Sequence, residues 1–551
     1  MNNLVVELNE YNYQYYTLNN SNISDYNFDM KLKELEKLEV IYPEYINDNS
    51  PTKRVGGDVI TGFNQIQHKY PMLSLSNTYS KDEVADFIKR VEKSVSNPEY
   101  VCELKFDGVA VSLYYEYGKL IYGVTRGNGE EGDDITNNIK TIKSIPLELF
   151  GDNYPDKFEI RGEVVMPHKS FNAINEERKL NGEKLMANPR NAASGSVKQL
   201  NSATASERNL DCYLYSMHGD NLLYDNHYDN LVKSGFKVSK NMVKCKSIDE
   251  IFEFINDWEI EKSKLPFDID GIVIKVNNIA QQEALGISSK SPKWAVSYKY
   301  KAEEKSTKLL SVDFQVGRTG AVTPVANLEP LLLAGTVVRR ASMHNEDIMK
   351  SLGIKENDYL FIEKAGEIIP QVTRIDLLKS FDDGKLIEFP TICPECGTEL
   401  IHRVGESAIY CPNADECKPQ ILGKYMHFIC KGAMDIKNLG ESKIKLLLDN
   451  DMLDDVSDLY NLSYDDLYGL QGENITLQER SARIMIEGIE KSKLQPAWRV
   501  LYGLGIKNVG STLSKQLMNH YKSFNSLSNT TYEELINLPD IGDTVAKSII
   551  D

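Results

Sequence analysis

Four cysteines spaced Cys393-x2-Cys396-x14-Cys411-x5-Cys417 place the tightest constraint on how this chain can fold. Pro394-Glu395 separates the first two and Gly397 follows, the composition of a knuckle turn that aims two thiols at one centre. Paired thiolates suit Zn²⁺, which has no redox chemistry and accepts a tetrahedral four-sulfur shell. With all four positions filled by protein, the site is expected to be closed and structural, not catalytic. His402, His427 and Cys430 lie nearby and stay open as substitute ligands, though they are less well spaced. Cys102, Cys212, Cys245 and Cys430 otherwise read as ordinary small core or surface residues.

So small a module cannot organise 551 residues, a length that calls for roughly three to five compact units. A hydrophobic fraction of 41% with 26% charged residues is ordinary for a soluble protein. The longest apolar run, around 331–338, is interrupted by Gly335 and closed by Arg339-Arg340, so no membrane span is expected. Met1-Asn2-Asn3-Leu4 shows no basic segment followed by an apolar one, hence no secretory signal, and a reducing, cytoplasmic setting is expected. The net charge of −18 argues against a uniformly basic nucleic-acid binder but leaves room for local basic surfaces.

Along the chain, residues 1 to about 57 repeat apolar positions at helical spacing, with Leu32, Leu35, Leu38 and Val40 following Asp29 in one helix. Asn47-Asp48-Asn49-Ser50-Pro51 and then Gly56-Gly57 read as a linker. From 58 to 301 the pattern is mixed α/β, with strand-like runs at 110–115, 159–165 and 271–276. A β-rich stretch reaches about 390, the cysteines follow, and the remainder is helical. There Leu504-Gly505-Ile506-Lys507-Asn508-Val509-Gly510 and Leu538-Pro539-Asp540-Ile541-Gly542 each precede a helical pattern, with Asn438-Leu439-Gly440 as an earlier copy. Glycine at a turn that opens a helix lets backbone N–H groups face a phosphate, so such helix-hairpin-helix units grip duplex backbone without reading bases. A single copy has the simpler explanation of a helix cap; recurrence favours nucleic acid.

Cys102-Glu103-Leu104-Lys105-Phe106-Asp107-Gly108 is apolar before its lysine and alternates after it (Val109, Val111, Leu113, Tyr115), as at the end of a strand feeding a hairpin. A half-buried lysine is disfavoured as ammonium and can serve as a nucleophile. A surface lysine beside a turn is the plain alternative for this motif standing alone.

It does not stand alone. Ser50-Pro51-Thr52-Lys53-Arg54-Val55-Gly56-Gly57, Pro71-Met72-Leu73-Ser74-Leu75, Thr125-Arg126-Gly127-Asn128-Gly129, Arg161-Gly162-Glu163-Val164 and Asn188-Pro189-Arg190-Asn191-Ala192-Ala193 accompany it. Asp270-Gly271-Ile272-Val273-Ile274-Lys275, Lys293-Trp294-Ala295 leading to Lys299, and Gln315-Val316-Gly317-Arg318-Thr319-Gly320 follow in order. With these motifs the chain resembles the NAD⁺-dependent DNA ligases over almost its whole length. The resemblance implies a multidomain α+β architecture: an N-terminal helical domain for nicotinamide mononucleotide (1–57), an ATP-grasp-like nucleotidyltransferase domain (58–301), an OB-fold β-barrel (302–390), a four-cysteine zinc finger (391–418) and a helix-hairpin-helix domain (419–551). No BRCT-like domain follows before Asp551, as in a short form of the family or part of a longer chain.

The resemblance also implies roles. Lys105 would attack the α-phosphorus of NAD⁺ to form lysyl-AMP, pass AMP to the 5′-phosphate of a nick in duplex DNA, and allow the 3′-hydroxyl to displace it. Lys275 and Lys299 would approach the α-phosphate, and Asp107 and Asp270 would lie where Mg²⁺ or Mn²⁺ binds. Arg126 and Glu163 are implied at the ribose, Glu103 at the adenine, Tyr215 stacked on the base, and Ser74 and Leu75 lining the pocket. Tyr15, Tyr16, Asp25, Phe28 and Asp29 would clasp the nicotinamide mononucleotide half. Arg190, Lys198, Arg318, Thr319, Gly505, Gly510 and Gly542 are implied at DNA, with the barrel completing a clamp around the duplex. Tyr16, Phe28 and Lys198 stand where the family generally has His, Tyr and Arg. Phe28 keeps the stacking ring and should matter little, and the departures predict a slower first step or weaker engagement of DNA phosphate, not lost activity. A monomer is expected, acting in a bacterial cytoplasm or nucleoid or at a viral replication site. Two other readings share the Lys-x-Asp-Gly motif: an ATP-dependent ligase, against which the first 57 residues and the cysteines weigh, and an inactive nick-binding protein, against which Lys105, Glu163, Lys275 and Lys299 weigh.

Overall fold

The computed structural model describes residues 1–16, 25–45, 50–54, 62–288, 291–300, 303–365, 369–380, 384–403, 405–472 and 475–550; the side chains of 2, 12–16, 25, 26, 29, 53, 54 and 365 lie outside that description. The chain divides into two compact units: Met1–Ala302 with 334–336, and Glu303–Leu333 with Val337–Asp551. Among the described residues no helix is long and apolar enough to cross a membrane.

In the first unit, helices Asn2–Tyr16 and Asp25–Ile41 bury Val5, Leu8 and Leu35 against one another. Val40 does not join that face and is 82% exposed, because it falls outside the stripe set by Leu32 and Leu35. The segment expected to be wholly linker is partly packed. Ser50 is fully buried and donates to Glu39 Oε1 at 2.6 Å, since a carboxylate in that position needs a donor. The Asn47–Asn49 and Gly56–Gly57 parts of that reading lie outside the described residues.

Two sheets follow. One runs in the order Ser76–Thr78, Ala295–Lys299, Ile269–Val276, Tyr100–Phe106, Val243–Cys245; the other runs Lys119–Thr125, Val109–Glu116, Lys157–Val165, Asp211–His218. The strand-like runs read from sequence at 110–115, 159–165 and 271–276 all lie in these strands. The Lys105 strand ends at Phe106 and, after two intervening residues, the hairpin Val109–Glu116/Lys119–Thr125 begins, but in the other sheet. Asp107-Gly108 is thus the crossing between sheets. A Cβ at Gly108 would collide with the Val164 carbonyl and reach Glu163 Cγ at 3.0 Å, so only glycine lets the backbones pass. The hairpin's first strand does not keep an exposed face: Val111, Ser112, Leu113, Tyr114 and Tyr115 are all buried, because both faces are covered.

In the second unit, strands Lys305–Val316, Tyr359–Ala365, Ile369–Ile375, Thr336–Ser342 and Ala321–Leu333 pair in turn and close back on Lys305–Val316, forming the expected barrel. The finger's strands Ile401–His402 and Ile409–Tyr410 extend the barrel sheet from Ala321–Leu333. Helices from Lys418 onward pack around two further cores, one including Ile444, Leu459 and Met485, the other Leu501, Leu517 and Leu535.

Candidate active site and nucleic-acid interface

Strand register gathers the ionisable side chains of the first unit. Gly271 pairs with Lys105 on one side and with Lys299 on the other, so the two lysines flank a residue without a side chain. A register shift between Ile269 and Gly271 turns Asp270 toward them, a use of irregular pairing common beside active sites. Asp270 Oδ2 accepts from Lys105 Nζ at 2.7 Å and from Lys299 Nζ at 3.1 Å. Its other oxygen, Oδ1, is buried and has no hydrogen-bond partner among the described residues. Asp107 Oδ1 accepts from Arg190 Nη1 at 2.5 Å; burial raises the Asp107 carboxyl above its usual range although Arg190 pulls the other way.

Glu163 lies beside this group. Burial pushes its carboxyl up to about 7, against the pull of Lys105 and Arg190. An unfolded glutamate ionises near 4.5, so between 4.5 and about 7 the folded protein keeps a proton that the unfolded chain releases, and stability falls as pH rises through that window. Glu163→Gln removes this cost. The free variant is expected to melt several degrees above wild type at pH 8, at roughly 2–4 °C per kcal/mol, and level with it near pH 4.5. Calorimetry at the two pH values checks this; equal melting temperatures at pH 8 would contradict it.

Two residues before Lys105, Glu103 shares its face of the strand. It is ion-paired with Lys275, which also donates to the Tyr215 carbonyl at 2.8 Å and sits 5.1 Å from that ring's centre. Burial opposes ionisation of Glu103, but the Lys275 ammonium beside it pulls the other way and the carboxyl is held below its usual value. Lys275 is not gathered with Lys105 and Lys299, because its cross-strand partner is Val101, four residues from Lys105, and its ammonium is taken by Glu103.

A loop borders these residues. Arg126 Nη2 donates to Ser74 Oγ at 2.5 Å, joining two of the expected pocket residues, and Leu75 is half-buried beside them. Arg161 holds the loop's start, donating to the Tyr70 carbonyl at 2.6 Å and the Pro71 carbonyl at 3.1 Å, while Glu159 Oε1 accepts from its Nε. Sequence reasoning quoted Arg161 without giving it work, and missed His227 altogether, since nothing local marks either. Lys198 pairs with Asp133 at 2.6 Å and is 46% exposed. Phe28 packs on the Val5, Leu8 and Leu35 core, so its ring serves the fold of the helical segment. Tyr15 and Tyr16 close the first helix and Asp25 and Asp29 lie on the second, but their side chains lie outside the described residues.

In the second unit, Sγ of Cys393 and Cys417 are 4.0 Å apart, Cys396 and Cys411 3.5 Å, and all four sulfurs lie within 4.8 Å of one another. Tetrahedral Zn²⁺ with bonds of about 2.3 Å sets sulfurs about 3.8 Å apart, so the donor set and its size both fit. His402 turns to Glu346 and His427 to the Tyr502 carbonyl, which removes them as substitute ligands. Among the described residues no other group of three or more His, Cys, Asp or Glu side chains converges so closely.

The helix-hairpin-helix reading gains a shared backbone. Asn438, Asn508 and Asp540 adopt φ of 61°, 66° and 63°, each followed by a buried apolar residue (Leu439, Val509, Ile541) and then by Gly440, Gly510 or Gly542 just ahead of a helix. Asn and Asp tolerate this left-handed conformation better than other side-chain-bearing residues. No side chain caps the helix that starts after Gly510, so its first N–H groups stay open. Facing it is a cleft of about 620 Å³ lined by Arg318, Thr319, Arg403, Lys424, His427 and Lys507 among others. Arg318 is not a free clamp here: it donates to the Gly505 carbonyl at 3.3 Å and braces the hairpin, leaving Thr319 exposed at the barrel's tip.

Comparison with known proteins agrees with this geometry. Family profiles match the N-terminal NAD⁺-binding domain of DNA ligases at residues 1–56, the NAD-dependent DNA ligase adenylation domain at 60–303, its OB-fold domain at 306–383, its C4 zinc finger at 393–418, and a helix-hairpin-helix motif at 499–551. The DNA ligase of Bacteroides fragilis is 50% identical over 552 residues, covering 100% of this chain and 82% of its own length. Those of Flavobacterium johnsoniae (47% over 550 residues) and Phocaeicola vulgatus (48% over 548) each cover 99% of this chain and 82% of their own length. On these matches, and with the zinc-binding cysteines and the recurrent hairpins in place, the chain belongs to the NAD-dependent DNA ligases, enzymes that seal nicks in DNA at the expense of NAD⁺.

Proposed function

We propose that Lys105 carries the adenylate in this reaction and that the surrounding residues divide the dinucleotide between them. The supporting observation is the convergence of Lys105 and Lys299 on one oxygen of Asp270, with the Glu103–Lys275 pair on the same strand pair a few residues away. Lys105 Nζ attacks the α-phosphorus; the bond to nicotinamide mononucleotide breaks and its electron pair leaves on that phosphate oxygen. Asp270 Oδ2 is within reach of the ammonium proton that must depart, and Lys299 offsets charge that gathers on the phosphate oxygens. Glu103 and Lys275 suit the adenine edge, one accepting from N6 and the other donating to N1, with Tyr215 beside the base and Glu163 and Arg126 toward the ribose.

Asp107 and the unpartnered Asp270 Oδ1 would hold Mg²⁺ or Mn²⁺, which binds through one or two carboxylates plus substrate phosphates and supplies Lewis-acid charge. In the second unit, Thr319, Lys507 and the N–H groups after Gly510 and Gly542 suit the phosphates of a nicked duplex. A duplex carrying a nick with a labelled 5′-phosphate tests the whole reading. Sealing is expected with NAD⁺ and Mg²⁺, not with ATP, and binding should weaken steeply as salt rises. Sealing by ATP at the NAD⁺ rate, or without any divalent ion, would contradict it.

A further inference from the structure

We propose that His227 is a specificity-determining residue of the adenine subsite, accepting a hydrogen bond from Lys275 and thereby fixing that ammonium at the base edge. The inference rests on the assignment of Glu103 and Lys275 to the adenine. All three side chains are buried: His227 is 3% exposed, Glu103 and Lys275 4% each. His227 Nε2 lies 3.4 Å from Lys275 Nζ and 4.0 Å from Glu103 Oε2. A lysine ammonium has three donors and no acceptor, so at this contact Nε2 must accept, and the ring carries its proton on Nδ1. Burial first, and the Lys275 charge second, push the His227 imidazole toward its neutral form, which keeps that lone pair available.

Glu103, the Tyr215 carbonyl and His227 Nε2 surround the Lys275 ammonium; when adenine N1 takes the donor now given to Glu103, the Tyr215 carbonyl and His227 Nε2 hold the other two. A side chain otherwise free to rotate about four carbons is held in one place. The placement of His227 is itself built. Its helix, His227–Val232, is stapled to the strand that carries Lys275: His227 N donates to the Asn277 carbonyl at 2.7 Å, and Tyr228 N to Asn277 Oδ1 at 3.0 Å. Asn277 is secured in turn, donating to Glu99 Oε1 at 2.6 Å. A single residue, Val276, separates Lys275 from Asn277, which positions its acceptor. A histidine that merely filled the core would need none of this alignment.

Adenine offers N6 as donor and N1 as acceptor; hypoxanthine reverses both. A carboxylate and an ammonium held in fixed order therefore discriminate between them, and a loosened ammonium discriminates less. The experiment measures lysyl-adenylate formation from NAD⁺ and from nicotinamide hypoxanthine dinucleotide, giving kcat and KM for each. His227→Leu, which keeps bulk but removes the acceptor, is expected to reduce the preference for NAD⁺ about tenfold, chiefly through KM. His227→Gln restores a neutral acceptor and is expected to stay within about threefold of wild type. An unchanged preference in His227→Leu overturns the inference. Glu103→Gln separates the two levels: if it too leaves the preference intact, the adenine assignment itself is wrong. If it abolishes the preference while His227→Leu does not, only the role of His227 fails. Should the leucine variant not fold, ¹⁵N spectra of histidine in the wild-type protein decide. An unprotonated Nε2 with a proton on Nδ1 supports the contact, and a protonated Nε2 overturns it.

Discussion

Lys105→Ala is expected to abolish transfer of adenylate from NAD⁺ to the protein, lowering NAD⁺-driven sealing by at least about 10⁴-fold, as loss of a covalent nucleophile does elsewhere. Neighbouring lysines cannot take over. Lys299 is tied to the same Asp270 oxygen from the far side of Gly271, and Lys275 is committed to Glu103. Lys105→Arg should fail equally, because a guanidinium does not give up its proton in a protein. The expected defect is confined to the first chemical step. A nick that already carries AMP on its 5′-phosphate needs no lysine nucleophile, so both variants should seal it at a measurable rate when divalent ion is present. Rapid-quench assays of the two substrates check this. Equal loss on NAD⁺ and on pre-adenylated nicks would mean that Lys105 acts only in binding.

Removal of zinc should produce the second large effect, and in a different place. Cys393, Cys411 and Cys417 are buried within the barrel's own core cluster, with Leu309, Val316 and Val322. Cys411 N donates to the Gly320 carbonyl at 2.8 Å, and Gln420 donates to the Cys411 carbonyl at 3.1 Å. Cys417 immediately precedes the helix Lys418–Ile429, whose Gly423 lets Arg318 pack against it. The metal thus organises the Arg318–Thr319 tip and the cleft beside it as well as the finger. Structural zinc contributes on the order of 10 kcal/mol to the folding of small domains. Cys393→Ala, or chelation after mild unfolding, is expected to weaken binding to nicked duplex by about tenfold or more and to lower the melting temperature of the second unit. Lysyl-AMP formation should persist, because its residues belong to the first unit. Binding isotherms and adenylation assays on the same preparation check both halves. Unchanged DNA affinity in a protein shown to be metal-free would contradict the account.

Residues that act through sequence-local geometry were legible before the fold. The cysteine spacing implied a four-sulfur centre and the sulfurs converge; Asn438-Leu439-Gly440 was read as a hairpin copy and shares its backbone with the other two. Strands at 110–115, 159–165 and 271–276 followed from apolar runs. What escaped was decided by partners distant in sequence. Lys275 goes to Glu103 because of a register between two strands about 170 positions apart, which no local pattern encodes. His227 and Arg161 matter through a neighbouring ammonium and two loop carbonyls, and a histidine or arginine in those local contexts carries no mark of either. Ser50 looked like linker because it sits among Asn, Asp and Pro, yet a carboxylate at Glu39 draws it into the interior. The crossing at Gly108 was visible as a turn, but not as a change of sheet.

One lysine, at position 105, is expected to become joined to AMP taken from NAD⁺. Incubating the protein with NAD⁺ and Mg²⁺ without DNA, digesting it under alkaline conditions that spare a phosphoramide, and sequencing the peptides by mass spectrometry locates the bond. The expected result is adenylate on the peptide spanning Glu103–Gly108, assigned to Lys105 and released when nicked DNA is added. Adenylate on Lys275 or Lys299 instead, or on no lysine while nicks are still sealed, would contradict it.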